Sequence, residues 1–185
     1  MSESKLAVEL REIIERKFFK DEIAQKFLER LDQKNLTRDE NPVSHFCAYF
    51  VAYDQRKKEF LIGNHKKSGL WLVNGGHIDR DETLQETLKR EIKEEWGLDY
   101  QNLNVSEPQL LTITDIYNPE KQTCRAHYDV WHFVKVDKKN FQPDKEKLKE
   151  EFYENRWVGL KEARNLVADD TNHNKAIDFM ENNLF

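Results

Sequence analysis

A short acidic cluster near the middle of the chain constrains its fold and chemistry more than any other feature. Arg90, Glu91, Glu94 and Glu95 lie within about a turn and a half of a predicted helix. Like charges three and four residues apart share one helical face and cost roughly a few tenths of a kcal/mol per pair. A solvated face, partly neutralised by neighbouring lysines, is the ordinary explanation. A hard divalent cation such as Mg2+, which prefers carboxylate oxygens and is commonly shared with substrate phosphates, is the alternative.

The helix that carries this cluster has a predicted start, end and buried side. Asp79 or Asp81 is the candidate N-cap, so the helix is expected to begin near residue 82 or 83. It should end at Trp96, with Gly97 in the left-handed conformation that follows many helices. Apolar residues recur every fourth position beside the acidic ones, so the helix can pack on a sheet while its carboxylates face a cleft. These apolar residues are Leu84, Leu88 and Ile92.

The cluster is part of a longer fixed pattern. Between Gly76 and Leu98 the chain reads Gly, five residues, Glu, seven residues, and then Arg-Glu-apolar-any-Glu-Glu-any-Gly-apolar. This segment of 23 residues resembles the Nudix box, and no fixed position departs from the pattern. The chain therefore resembles a Nudix hydrolase, and the wider similarity is expected to extend from about Pro42 to Leu166.

The resemblance implies hydrolysis of a diphosphate bond in a nucleoside diphosphate linked to another moiety, with Mg2+ or Mn2+ as cofactor. Bound metal would neutralise the diphosphate, polarise a phosphoryl oxygen and lower the pKa of a water. Arg90 would orient Glu91, Glu82 would support the box, and these residues and Glu94 are the predicted catalytic group. The metal ligands implied by the resemblance are the carbonyl of Gly76 and the carboxylates of Glu91, Glu94 and Glu95.

The general base is either a box glutamate or an acid from the charged segment before the last strand. Glu150, Glu151 and Glu154 lie there. Glu151 and Glu154 are the candidates we retain, with ordinary surface charge as the alternative for each.

Three further residues are candidates for substrate binding. Lys66 is placed to meet phosphates, unless it is simply solvated on a hairpin. His77 lies beside the box and either contacts substrate or stabilises a turn. Asp129 alternates with His127 along a predicted strand, so both lie on one side of it. If that side faces a cleft they can read a base or a sugar hydroxyl, and if it faces solvent or a partner they are structural.

Residues outside the box do not assign a substrate. The proline typical of family enzymes that act on ADP-ribose is missing. Tyr117 lies slightly later than the tyrosine of diadenosine polyphosphate enzymes. Asn74 and Trp96 stand where the family commonly has a proline and a small residue. These departures leave the predicted metal site intact and the substrate open.

Two other functions share this fold. A non-catalytic Nudix module that senses a nucleotide sugar usually carries a DNA-binding domain, and the segment after Leu166 is too short for one. An isopentenyl diphosphate isomerase needs a catalytic cysteine and typically has a degenerate box. Cys47 lacks the supporting motif, so hydrolysis is the leading hypothesis.

The order of predicted elements indicates an α/β fold. Residues 1–41 carry two runs with helical spacing, separated by the candidate cap Asp21, and are interpreted as an N-terminal helical hairpin. The hairpin either covers one side of the core or supports a homodimer, with a substrate-selecting lid as the alternative. Residues 42–185 alternate strands and helices, which matches a Nudix-like α/β/α sandwich with a mixed β-sheet. The segment Asp137–Glu151 is predicted to be a charged loop with about one helical turn.

Composition fits a small enzyme with a small-molecule nucleotide substrate. The 185 residues are 38% hydrophobic, enough for one core with an appendage. The sequence has neither a membrane-spanning apolar run nor a secretory segment, which predicts a cytoplasmic protein. A net charge of -5 argues against nucleic acid as a partner. Cys47 and Cys124 have no metal-ligand spacing and are predicted to be reduced strand thiols.

Overall fold

A mixed β-sheet forms the centre of the computed structural model, which describes residues 3–116 and 123–185. The long strand β1 runs parallel to β7 and antiparallel to β2 and β4. Strands β5 and β6 extend the sheet beside β7, and β3 and β8 extend it beside β2. The strands are β1 Ser44–Asp54, β2 Glu59–His65, β3 Trp71–Leu72, β4 Asn74–His77, β5 Asn104–Val105, β6 Leu110–Asp115, β7 Ala126–Lys135 and β8 Phe152–Gly159.

Helices cover both faces of this sheet, so the predicted α/β fold with a mixed sheet is confirmed. The α-helices are α1 Lys5–Lys17, α2 Glu22–Asp32, α3 Leu84–Glu91, α4 Lys145–Glu151, α5 Leu160–Val167 and α6 Thr171–Asn183. A π-helical turn, Ile92–Trp96, continues α3. None of the helices in the described parts of the chain is long and apolar enough to cross a membrane.

Alternating side chains of β1 contribute to two separate cores. Phe46 and Phe50 point to the side covered by α1, α2 and α3. Val51 and Tyr53 point to the opposite side, which is covered by α5 and α6. Successive strand residues face opposite sides of a sheet, so one strand can place different chemistry on each side. We call these two sides the box-helix face and the C-terminal-helix face.

The N-terminal hairpin covers the box-helix face. Asp21 is the N-cap of α2, as predicted, and accepts a hydrogen bond from the amide of Ile23 at 3.1 Å. Phe27 packs edge-on against Phe46 with ring centroids 5.7 Å apart. Complete burial of such a ring contributes about 1.5–3 kcal/mol. The hairpin and the sheet therefore share one apolar core, and the division of the chain at residues 41 and 42 stays a prediction.

The structure corrects two local predictions. The Asp137–Glu151 segment contains the helix α4, Lys145–Glu151, capped by Asp144, rather than a single helical turn. Cys124 lies before β7 instead of inside a strand, whereas Cys47 is buried in β1, and both are free thiols. The comparison made for Tyr117 lies outside the described residues.

Candidate active site

The box helix begins later than predicted. Its N-cap is Thr83, not Asp79 or Asp81, because a capping box forms between Thr83 and Glu86. The Thr83 hydroxyl accepts from the Glu86 amide at 3.2 Å, while the Glu86 carboxylate accepts from the Thr83 amide at 2.8 Å. The Asp79 amide instead donates to the Glu82 carboxylate at 3.2 Å, which holds the loop before the helix. This arrangement satisfies amides that a helix start leaves without intrahelical partners.

The other end of the box helix is as predicted, but it is wound differently. Gly97 adopts the left-handed conformation, with φ 68°, immediately after Trp96. The final turn is π-helical, a rare geometry that occurs often at functional sites. The predicted apolar stripe is buried against the sheet, so the acidic side is turned away from the core. The stripe consists of Leu84, Leu88 and Ile92, each at most 2% exposed.

Arg90 holds two box carboxylates in place. Its guanidinium makes two hydrogen bonds of 2.8 Å to Glu82 and one of 2.7 Å to Glu91. It also donates to the carbonyl of His77 at 3.1 Å, which ties the helix to strand β4. These charge-assisted bonds lower the pKa of Glu82. Arg90 therefore fixes the orientation of Glu91, the arrangement that the resemblance implies.

Glu91 lies directly against the backbone of Gly76. A Cβ added to Gly76 would lie 1.9 Å from a carboxylate oxygen of Glu91, so no other residue fits there without moving the carboxylate. Gly76 lies in β4 with an extended backbone, so it is needed for this close approach and not for a turn. Burial raises the pKa of Glu91 despite its contact with Arg90.

Glu95 is the most deeply buried acid of the box. It is 7% exposed and accepts a hydrogen bond from the side-chain amide of Asn74. Burial raises its pKa to about 8, and the negative charges of Glu91 and Glu151 add to this effect. Asn74, which departs from the family's common proline, thus has a definite contact with a predicted metal ligand. Glu94, in contrast, has a side chain that is 59% exposed and is 3.4 Å from Arg90.

This donor set fits a hard divalent cation. Carboxylate and carbonyl oxygens are the ligands that Mg2+ and Mn2+ prefer. Two of the carboxylates are buried with raised pKa values, so a cation would offset the cost of burial that Arg90 and Asn74 compensate only in part. The residues that could hold the ion are Gly76, Glu91, Glu94 and Glu95, and their role stays a prediction.

Two of the candidate residues, Lys66 and Glu151, are joined by a hydrogen bond of 2.9 Å from the Lys66 amide to the Glu151 carbonyl. The Lys66 ammonium donates to the carbonyl of Lys149. Glu151 accepts from Lys67 at 3.3 Å and is close enough to Glu95 to influence its pKa. Glu154 is directed elsewhere, because it is on β8 and pairs with Arg156 at 2.6 Å. Of the two loop acids, only Glu151 is brought toward the box glutamates.

His77 and Asp129 lie on the C-terminal-helix face. The His77 side chain is in the last residue of β4, not in a turn, and packs against other imidazoles. Asp129 is completely buried and accepts from Thr114 and Asn172 at 2.6 Å. Burial raises the pKa of Asp129 to about 7. Its side of β7 therefore faces the protein interior, not solvent or a partner.

Sequence reasoning missed several residues that meet around this side of β7. Asn172, at the start of α6, reaches Asp129, although the two are far apart in sequence. His45 packs on both His77 and His127, with ring centroids 4.8 Å apart in each pair. No local motif signals these contacts. The alternation of polar residues along β1 and β7 was the available clue.

Comparison with known proteins identifies the family. A sequence model of the NUDIX domain matches residues 43–180, most of the chain. The chain belongs to the Nudix family. This membership confirms the resemblance found in the sequence and the predicted enzyme class, Nudix hydrolases acting on phosphorus-containing acid anhydrides. A sequence search of curated proteins returns no match.

Solved structures share this Nudix fold at low sequence identity. The Escherichia coli dihydroneopterin triphosphate pyrophosphohydrolase is 18% identical, with a TM-score of 0.61 over 74% of this chain and 95% of that one. The Caenorhabditis elegans Ap4A hydrolase is 19% identical, with a TM-score of 0.58 over 76% and 98%. The MutT protein from Methanosarcina mazei Go1 is 19% identical, with a TM-score of 0.57 over 76% and 96%. At these identities the likeness shows the fold alone.

Proposed function

We propose that this Nudix protein hydrolyses a diphosphate bond in a nucleotide-derived substrate, using Mg2+ or Mn2+. The observation that carries the proposal is the contact between Glu91 and the backbone of Gly76, fixed by Arg90. In this contact a buried carboxylate lies against the backbone of β4, and two more glutamates follow on the same helix. An acidic cluster that was merely solvated would need neither burial nor a glycine at this contact.

Each residue of the site has a distinct role in the proposed reaction. When bound, the divalent ion would supply charge neutralisation and an acidified water. Arg90 keeps Glu91 in one orientation, and Asn74 does the same for Glu95. Glu82 holds the other side of the Arg90 guanidinium. These contacts pre-organise the carboxylates, so little rearrangement is needed when substrate arrives.

Glu151 is the better candidate for a base outside the box. It lies at the C-terminal end of α4, and its negative charge helps to raise the pKa of Glu95. Lys67 and His65 lie 3.3 and 3.5 Å from its carboxylate, so two basic side chains at the turn after β2 contact this acid. Lys66, in the same turn, is the proposed contact for a substrate phosphate.

A nucleotide substrate is supported by two observations. The similar structures include proteins named as hydrolases of dihydroneopterin triphosphate and Ap4A. In addition, Asp129 Oδ1 and Asn172 Oδ1 are buried without a hydrogen-bond partner among the described residues. Such atoms are costly unless something donates to them, and a base or sugar hydroxyl has the required groups. We propose Asp129 as a substrate contact on this basis, and the substrate contact expected for His77 stays a prediction from the sequence. A cytoplasmic location and a homodimer stay predictions from the sequence.

The test is a substrate panel with purified protein and added Mg2+ or Mn2+. It should contain nucleoside triphosphates, nucleotide sugars, dinucleoside polyphosphates and ADP-ribose, scored by the identity of the products. We expect hydrolysis of at least one substrate, and Glu94→Gln and Glu95→Gln should each lower kcat/KM at least about 100-fold. Turnover that survives both substitutions, or that needs no metal, contradicts the mechanism. Tight nucleotide binding without turnover would favour the sensing module.

A further inference from the structure

Four nitrogen and sulfur ligands meet on the C-terminal-helix face of the sheet. His45 and Cys47 lie on β1, His77 lies opposite Cys47 on β4, and His127 lies opposite His45 on β7. One potential ligand atom from each lies within 4.8 Å of those from the other three. The sheet register creates this cluster, because the three neighbouring strands place these side chains on the same side.

The two cluster residues on β1 are almost fully buried. His45 is fully buried and Cys47 is 3% exposed. Within the described residues, the group contains imidazoles and a thiol but no carboxylate. A set of imidazoles and a thiol in such surroundings is the type that selects borderline or soft transition metals over Mg2+.

The surroundings of His45 and His127 indicate which ring nitrogen of each could bind a ligand. His45 Nδ1 lies 3.0 Å from the carbonyl of Asn41 and must donate to it, so Nε2 is the basic nitrogen. Metal-binding histidines characteristically donate their second ring nitrogen to a carbonyl or carboxylate in this way. His127 Nε2 is buried and has no hydrogen-bond partner in residues 3–116 and 123–185.

We propose that His45, Cys47, His77 and His127 form a second metal site, which binds Zn2+ or a similar transition-metal ion. A tetrahedral Zn2+ with these donors has bonds of about 2.0–2.3 Å, which places its ligand atoms about 3.3–3.8 Å apart. The present maximum of 4.8 Å requires the side chains to close by about 1 Å. Binding removes the proton of the Cys47 thiol to solvent, leaving a thiolate bound to the ion.

This site is separate from the box carboxylates. In β4, Asn74 and Gly76 face the box helix, where they contact Glu95 and Glu91. His77 faces the opposite side, because neighbouring residues of a strand alternate. The proposed Zn2+ site therefore adjoins the candidate Mg2+ site through the sheet. Its presence can be tested whatever the substrate of the enzyme is.

Cobalt(II) is the probe for this site, because a tetrahedral cobalt ion with a thiolate ligand is coloured and reports its donors. The full chain, reduced and freed of metal with a chelator, is titrated with Co2+ in excess Mg2+. We expect one bound Co2+ with visible absorption and a thiolate-to-cobalt charge-transfer band, and Zn2+ should displace it. Cys47→Ser should abolish the charge-transfer band and weaken Co2+ binding at least about 100-fold, since losing a ligand costs at least as much as losing its support.

Three variants make the result decisive. Cys124→Ser is the matched control, because Cys124 Sγ lies 3.8 Å from His45 Nε2 but is not in the cluster, and it should keep the band. His127→Asn should weaken binding while keeping a thiolate band, which gives a second test if Cys47→Ser fails to fold. Glu91→Gln should leave the cobalt spectrum unchanged. Absence of the band in the natural sequence overturns the proposal. Its loss in Cys124→Ser or Glu91→Gln, with retention in Cys47→Ser, does the same.

Discussion

The two faces of the four-residue strand β4 present donor atoms that suit different classes of metal ion. On the box-helix face, Gly76 and Asn74 meet the carboxylates of Glu91 and Glu95. On the C-terminal-helix face, Gly75 packs against Tyr49 and His77 joins the imidazole and thiol cluster. One face thus presents hard oxygen donors, and the other presents nitrogen and sulfur. The comparison shows that strand alternation can separate two donor sets without any intervening domain.

The two faces also differ in how their charged groups are stabilised. The carboxylates are held by Arg90, which bridges Glu82, Glu91 and the carbonyl of His77. The imidazoles need no such partner because burial keeps them neutral, as the lowered pKa values of His77 and His127 indicate. A buried charge must be paired, whereas a buried neutral polar group needs only hydrogen bonds or a ligand.

Gly76→Ala should produce the largest effect and damage only the box-helix face. The added methyl would lie 1.9 Å from Glu91 Oε1. Because this contact is the end of a flexible side chain, the fold should survive while the carboxylate is displaced. We expect kcat/KM to fall at least about 100-fold and the Mg2+ concentration for half-maximal rate to rise. Unchanged activity would contradict the proposed role of the Gly76–Glu91 contact.

Gly75→Ala is the matched substitution on the other face and should act on stability. Its methyl would lie 2.6 Å from the backbone carbonyl of Ala48 and 2.7 Å from the ring of Tyr49, which stacks on Trp131. The backbone cannot move aside as easily as the end of a carboxylate side chain. We therefore expect the free energy of unfolding, measured in urea, to fall by about 1–3 kcal/mol. Activity per folded molecule should fall much less than in Gly76→Ala. A larger loss of activity per folded molecule in Gly75→Ala than in Gly76→Ala would contradict the assignment of catalysis to the box-helix face.

Arg90→Lys should also act on the box-helix face, but it should lower activity less than Gly76→Ala does. Lysine keeps the positive charge but cannot make the paired hydrogen bonds to Glu82 while also reaching Glu91. We expect kcat/KM to fall about tenfold, measured at saturating Mg2+. The cobalt spectrum of the other face should not change. Full activity in this variant would mean that charge alone, and not orientation, is what Glu91 requires.

The two loop acids should differ in effect, and the smallest effect of all is expected at Glu154. Glu154 pairs with Arg156 and is exposed, so Glu154→Gln should leave kcat within about twofold. Glu151→Gln removes the loop charge that reaches Glu95 and should lower kcat by about tenfold or more if this acid is the base. Equal rates for Glu151→Gln and the natural sequence would mean that the general base is one of the box glutamates.

Local sequence was sufficient for the buried side and the end of the box helix. The four-residue repeat of Leu84, Leu88 and Ile92 predicted the buried stripe, and Gly97 predicted the end. The start was wrong because several residues before the helix can cap it, and only the reciprocal bonds of Thr83 with Glu86 select one. Capping is decided by which backbone geometry the preceding loop can reach, and that geometry is set by packing.

By itself the sequence determined the family, the α/β fold and the identity of the box residues, because these depend on short-range spacing. Only the tertiary structure showed that Glu91 rests on Gly76, that Asn74 supports Glu95, and that His77 faces the other side. It also brought His45 and Cys47 to His127, where their spacing in sequence predicted no metal site. The physical reason is the register of β1 with β4 and β7. Pairing between distant strands decides which side chains meet, and no local pattern records that pairing.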